Sequence, residues 1–171
     1  MTEAYGRRLG KALRVENTPV IVTRALRKAD IAVTEVRCDN PQPEMSSSIQ
    51  QENAFLVALQ LRDFPKWEYW EDGRRTSVCD LRVGETCLHD LERDPTVLLD
   101  KPYHVLFFYL PRAALDAIAD EANAPRIRDL DYKPGASVTT PRFPASGTWC
   151  GPPLAIPTKL ASCLSTTSCW R

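Results

Sequence analysis

The chain has 171 residues, of which 43% are hydrophobic and 26% charged, and its 22 basic and 22 acidic residues cancel. That length suits one domain with a core large enough to stand alone, and the proportions are those of an ordinary globular protein, not of a disordered or collagen-like chain. The charge is unevenly spread: residues 1–131 carry 18 Lys and Arg against all 22 Asp and Glu, a sum of −4, and residues 132–171 carry Lys133, Arg142, Lys159 and Arg171 with no acid, a sum of +4. A mildly acidic body disfavours a phosphate-binding surface.

The first residues, EAYGRRLGKALRVEN, are polar and lack the apolar run of a secretory leader. No stretch approaches the ~18 apolar residues of a membrane span. The expectation is a cytoplasmic protein without membrane contact. Residues 3–14 suit a short basic helix with Tyr5, Leu9, Ala12 and Leu13 roughly on one side, weakened by Gly6 and Gly10. Its Arg7, Arg8, Lys11 and Arg14 invite a nucleic-acid reading, but Glu3 and Glu16 flank them and a solvated helix face is the simpler account. Residues 1–17 are therefore set apart as an N-terminal arm.

Residues 19–37, in PVIVTRALRK and then DIAVTEVRCD, read as two strands or one interrupted strand, and NPQPEMSSS, from 40 to 48, as a polar loop. Such a loop frames a pocket in some small domains, although a plain surface connection is the simpler reading. In AFLVALQLR, from 54 to 62, Phe55, Val57, Leu59 and Leu61 share one face, and Gln60 and Arg62 fall on the other. KWEYWEDGRRTSV is a hairpin turning at Asp72–Gly73, since a two-residue turn favours a glycine that accepts positive φ. Trp67 and Tyr69 share one of its faces. CDLRVGETCLHDL gives two short strands broken at Gly84–Glu85, and the residues from Glu92 to Pro95 turn the chain into VLLDK.

PYHVLFFYLPRAALDAIADEAN, from 102 to 123, is a strand that runs into a helix. Both faces of the strand are apolar, which predicts cover on both sides. Pro111 suits a helix start, because a first turn does not need its missing N–H. Ala114, Leu115, Ile118, Ala119 and Ala122 make an apolar helix face opposite Arg112, Asp116, Asp120 and Glu121, and Asn123 with Pro125 ends the helix. Seven or eight short strands between 19 and 110 with no helix among them are the signature of an antiparallel sandwich or small barrel.

From about Ser137 the composition changes. The tail is rich in Pro, Ser, Thr and Cys, has no acid, and holds two of the four Trp and three of the six Cys. Disordered segments are poor in Trp and Cys. A shifted reading frame accounts for this better: GC-rich codons read one base earlier permit the strings HPDQAR and VDHVLL. Cys38, Cys79, Cys87, Cys150, Cys163 and Cys169 lack CxxC-type spacing and read as free thiols.

Few residues here bear chemistry. His89 and His104 are the chain's only histidines, and neither stands in a metal-ligand spacing with another donor, so hydrogen-bonded structural roles are expected, with no metal and no cofactor. No GxSxG, P-loop or GxGxxG occurs. Asp80, Asp90 and Asp94 read as turn and strand-end residues. The aromatic residues between 67 and 109 are dense. Core packing accounts for most of them. The sharper reading is that some line a barrel mouth holding a small molecule, with Trp67, Tyr69, Tyr103 and Phe107 as the ligand-binding candidates.

The strings AFLVALQLRDFPKWEYWEDGR, VCDLRVGETCLHDLERDP and PYHVLFFYLPRAALDAIADEANAPRI resemble the N-terminal domain of AraC-type transcriptional regulators, over roughly residues 18–137. The resemblance implies a mainly β fold, a cupin-like antiparallel barrel followed by one α-helix and, here, an irregular tail from 138 to 171. It implies a non-enzymatic domain that senses an unidentified small-molecule effector. It also implies homo- or heterodimer formation, with Leu115, Ile118 and Ala122 as candidate contacts. The family's C-terminal domain with its two helix-turn-helix motifs has no counterpart in the sequence, so direct DNA binding is not expected and the chain reads as a truncated or frameshifted regulator. Two rivals stand beside this reading: a stand-alone cupin-type metal enzyme, and an interaction module that pairs with full-length regulators.

Overall fold

The computed structural model describes residues 5–16, 18–26, 29–126, 130 and 133–139. The first strand pair, β1 (Val20–Leu26) and β2 (Ala29–Cys38), is antiparallel. The polar loop that follows contains a two-residue strand, β3 (Glu44–Met45). Next come β4 (Ala54–Gln60), β5 (Phe64–Glu71), β6 (Arg74–Leu81), β7 (Glu85–Asp90), β8 (Thr96–Leu99) and β9 (Tyr103–Pro111). Two helices, α1 (Gly6–Ala12) and α2 (Arg112–Glu121), flank the strands, and β10 (Ser137–Thr139) closes the described chain. One sheet has the order β1-β2-β9-β4-β7-β10 and the other β3-β8-β5-β6. The pairings among these strands are antiparallel. The fold is a mainly β, antiparallel double sheet, within the sandwich or small barrel anticipated from strand number and spacing, and it agrees with the cupin-like barrel that the resemblance implied.

Local chemistry places the turns as expected. β5 and β6 join through Asp72 and Gly73 with φ of 49° and 70°, the two positive values of a type I′ turn, whose twist matches that of the strands. A bulge between Tyr69 and Trp70 shifts the register above it. Gly84 turns β6 into β7 at φ 87°. Asp90 ends β7 and caps a single 3-10 turn at 91–93, its carboxylate accepting from the Glu92 amide at 3.0 Å. Pro111 sits one residue earlier than expected, as the N-cap of α2 rather than its first helical residue. Asn123 adopts a left-handed φ of 51° just beyond the helix, which only a few side chains tolerate.

Three expectations are corrected. In β4 the face that carries Gln60 is the inner one: Leu56, Ala58 and Gln60 are buried, whereas on the apolar face read from the sequence Phe55 is buried, Val57 and Leu59 are half-buried and Leu61 is exposed. In β9, Tyr103, Val105, Phe107 and Tyr109 are buried, whereas His104, Leu106 and Phe108 are only half-covered, so the cover on the two faces is unequal. The tail also keeps strand structure longer than its composition suggested, since Ser137–Thr139 pairs antiparallel with β7. The remainder of the tail, from 140 to 171, with Cys150, Cys163 and Cys169, lies outside the described residues.

Helix α1 is too short to persist alone in water. It is held by its packing and by three hydrogen bonds: Gly6 N donates to Thr34 Oγ1 at 2.9 Å, Ser47 N donates to the Ala12 carbonyl at 2.9 Å, and the Tyr103 hydroxyl donates to the Leu13 carbonyl. Leu9 and Leu13 are 1% and 6% exposed and belong to the same core as the strands. Burying each contributes about 1.5–3 kcal/mol. The arm expected at 1–17 thus packs, over its described part, as one side of the barrel core. At the other end, Ala114, Leu115, Ala117 and Ala119 of α2 are buried, Ile118 is half-buried and Ala122 is exposed. Of the three residues expected at a dimer contact, Leu115 is therefore already covered within its own chain.

Candidate functional site

The inner face of the larger sheet is built from cross-strand rows. Ala32, Tyr109, Leu56 and His89 form one row across β2, β9, β4 and β7, and Thr34, Phe107, Ala58 and Cys87 form the next. Val36, Val105 and Gln60 form a third. Phe64, Trp67 and Tyr69 of β5 face them from the smaller sheet, and all three are buried. The sheets meet through aromatic edges: Trp67 and His89 are T-shaped at 6.0 Å, and Tyr69 and His89 are tilted at 5.0 Å between ring centroids.

Between these faces lies a cavity of about 70 Å³. Trp67, Tyr69, Tyr103 and Phe107, the four ligand-binding candidates, all stand on its wall. Trp67 lies almost flat on Tyr69, with centroids 4.9 Å apart and planes at 18°. Leu9 and Leu13 of the N-terminal segment complete one side, and Ser46 and Ile49 bring the polar loop into the wall as well. The loop from 40 to 48 is therefore more than a surface connection.

Two further lining residues, which sequence reasoning does not single out as site residues, are polar. Gln60 is 5% exposed at the end of β4 and His89 is 8% exposed on β7. The His89 Nδ1 is fully buried with no hydrogen-bond partner among the described residues. Burial holds its imidazole pKa down at about 4, because a dry site disfavours the charged ring. His89 is accordingly neutral at pH 7, with one ring nitrogen able to donate and one able to accept. A phase signal for Gln60 is absent from the sequence, since residues 54–59 are apolar on both faces and either phase buries hydrophobic side chains.

The aromatic hydroxyls face protein partners. Tyr69 donates to Glu71 at 2.8 Å and Tyr109 donates to the buried Glu52 at 2.9 Å. Burial raises the Tyr103 and Tyr109 hydroxyl pKa values well above the usual tyrosine range, so both remain protonated donors. Burial likewise pushes the Cys87 thiol up to about 12. Cys38, Cys79 and Cys87 are free thiols.

A multi-histidine metal site of the kind some β-barrels carry does not fit these residues. His89 stands on the cavity wall among aromatic rings, whereas His104 lies on the half-covered face of β9, its Nε2 2.7 Å from Glu35 Oε1. Among the described residues no group of three or more His, Cys, Asp or Glu side chains gathers where a metal ion could sit. No helix among them is long and apolar enough to cross a membrane.

No protein-family model and no curated protein matches the chain. Solved structures do match. A Cupin 2 conserved barrel domain protein from Salinispora arenicola CNS-205 is similar with a TM-score of 0.42 at 11% identity, over 61% of this chain and 83% of that one. A cupin superfamily protein from Desulfitobacterium hafniense DCB-2 has a TM-score of 0.36 at 10% identity, over 56% and 78%. The cupin domain of Schizosaccharomyces pombe Cnp3 has a TM-score of 0.36 at 7% identity, over 66% and 75%. These are likenesses of strand arrangement and carry nothing about activity.

Proposed function

We propose that the chain is a small-molecule-binding domain that works by sensing rather than by catalysis, the role implied by its resemblance to the effector domain of AraC-type regulators. The observation that carries this reading is the cavity. It is walled by aromatic and aliphatic side chains and includes a buried, neutral His89 whose Nδ1 has no partner among the described residues. Largely apolar walls with a few polar groups are how proteins bind and orient small ligands. Among the described lining residues no nucleophile is hydrogen-bonded to a base, the arrangement that covalent catalysis uses.

Thermal melting of the full chain against a panel of small metabolites tests the reading, since a ligand that binds only the folded state raises the melting temperature with its concentration. Ala58→Phe, which fills the cavity from β4, serves as the control. The expected result is a dose-dependent rise for at least one compound with the natural chain and none with the filled variant. Equal rises in both, or no rise across the panel, overturn it.

A further inference from the structure

Resting on the reading of this cavity as a binding site, we propose that its ligand is a small uncharged molecule with an apolar body and one amide- or hydroxyl-type polar end. Among the described residues that line the cavity none is charged. The buried carboxylates of Glu71 and Glu52 are not among these lining residues, and each accepts from a tyrosine hydroxyl. A charged ligand entering such a site gives up its hydration and gains no countercharge, which is the costly way to bury an ion.

The polar groups on the wall suit a neutral partner. Gln60 supplies an amide, with donors and an acceptor, and His89 a neutral imidazole whose buried Nδ1 has no partner among the described residues. An amide or hydroxyl group makes both kinds of bond, whereas an alkane leaves these buried groups unpaired. Ser46 already accepts from Val97 N at 3.1 Å, and its hydroxyl hydrogen remains to be given. The apolar body meets the flat face made by Trp67 on Tyr69. Size gives the scale. A single water needs roughly 10–15 Å³ in such a cavity, so about 70 Å³ holds a molecule of roughly half a dozen heavy atoms.

The test uses four compounds with one branched carbon body: isobutyramide and isobutanol, which are neutral, and isobutyrate and isobutylammonium, which are charged. Binding to the full chain is followed by calorimetry and by the ring resonances of the two histidines. The neutral pair is expected to saturate at millimolar concentrations and to shift His89 but not His104, with the charged pair at least about tenfold weaker. Gln60→Leu and His89→Phe, each checked for folding by near-ultraviolet circular dichroism, are expected to weaken isobutyramide about tenfold, the factor that one lost hydrogen bond of about 1.4 kcal/mol gives. Charged compounds that bind as tightly as neutral ones overturn this inference and leave the binding reading standing. Unchanged isobutyramide binding in both variants overturns the assignment of the polar end. If none of the four shifts His89 at about 100 mM, the binding reading falls along with the inference.

Discussion

The Tyr103 hydroxyl on β9 donates to the carbonyl of Leu13, the C-cap of α1, and so joins two cavity-lining residues 90 positions apart. A helix leaves its last carbonyls without internal partners, and a buried one needs another donor. Tyr103→Phe keeps the ring and removes that donor. The expected cost is about 1–2 kcal/mol in urea denaturation. Its location is the sharper forecast. Amide exchange should quicken at Leu13, Arg14 and Val15, whose N–H groups bond back to Leu9, Lys11 and Gly10, with little change in β4 or β7. Unaltered exchange at these three amides refutes the idea that this bond fastens α1.

His89 makes stability depend on pH with a definite sign. Its folded pKa is held near 4 by burial, below the 6.5 of an unfolded histidine. Between those values the unfolded chain binds the extra proton, so stability rises with pH through this window and its contribution is complete above about 6.5. Acidification from pH 6.5 toward 4 is expected to remove up to about 3 kcal/mol, because each tenfold difference in proton affinity between the two states is worth about 1.36 kcal/mol. Subtracting the curve of His89→Phe isolates this part from the carboxylates. Parallel curves for the two proteins sink the prediction, as does a His89 ring signal that titrates near 6.5.

Strand number, the Asp72–Gly73 hairpin, the strand-to-helix passage at Pro111 and the aromatic side of the cavity can all be read from local chemistry, because turns and alternation act over a few residues. The phase of β4 cannot. Its residues 54–59 are apolar on both faces, and only pairing with β9 and β7 decides that Leu56, Ala58 and Gln60 point inward. For the same reason Gln60 and His89 escape notice as cavity residues. The role of α1 is hidden differently: Leu9 and Leu13 look like one side of a marginal helix, and nothing local says that this side closes a barrel. Arg112 looks like part of a solvated helix face, and its partner Asp90 is 22 residues away on another element.

The two glycines that matter most are sensitive for different reasons. A Cβ at Gly10 meets Thr18 Cγ2 at 2.4 Å and the Val15 carbonyl oxygen at 2.8 Å, so backbone must move. Gly10→Ala is expected to cost about 1–3 kcal/mol through crowding. At Gly73 the space is open, but φ is 70°. Gly73→Ala should cost about 1–2 kcal/mol through left-handed strain alone. Gly73→Asn, a residue that accepts this conformation, should recover much of it, whereas Gly10→Asn should be no better than Gly10→Ala. Urea midpoints for the four variants check this ordering, and a Gly10→Ala protein as stable as the natural one contradicts the close approach of α1 to Thr18.

The joint between the barrel and α2 includes a buried carboxylate with two cations beside it, Arg112 and, at 3.8 Å, Arg93. Asp90 is 4% exposed, accepts from the Glu92 amide, and lies 3.2 Å from Arg112 Nη2. Arg112 also stands 3.6 Å from Glu92, and its guanidinium covers the Phe55 ring at 4.1 Å. Removing one member of a buried pair leaves the other charged and dry, which costs more than the pair itself contributes. Arg112→Ala is therefore expected to lose about 2 kcal/mol, less than the ~3 kcal/mol of a fully buried pair, because the arginine side chain is 20% exposed and Arg93, its Nε 3.8 Å from Asp90, stays beside the carboxylate. Arg112→Lys keeps a charge but not the planar group over Phe55, and should fall between. Adding Asp90→Asn to Arg112→Ala removes the stranded charge, so the double variant should be more stable than the sum of the two single losses implies. Additive losses in that cycle, measured by denaturant unfolding, mean that Asp90 and Arg112 act independently and that Arg112 holds this joint through Phe55 and Glu92 instead.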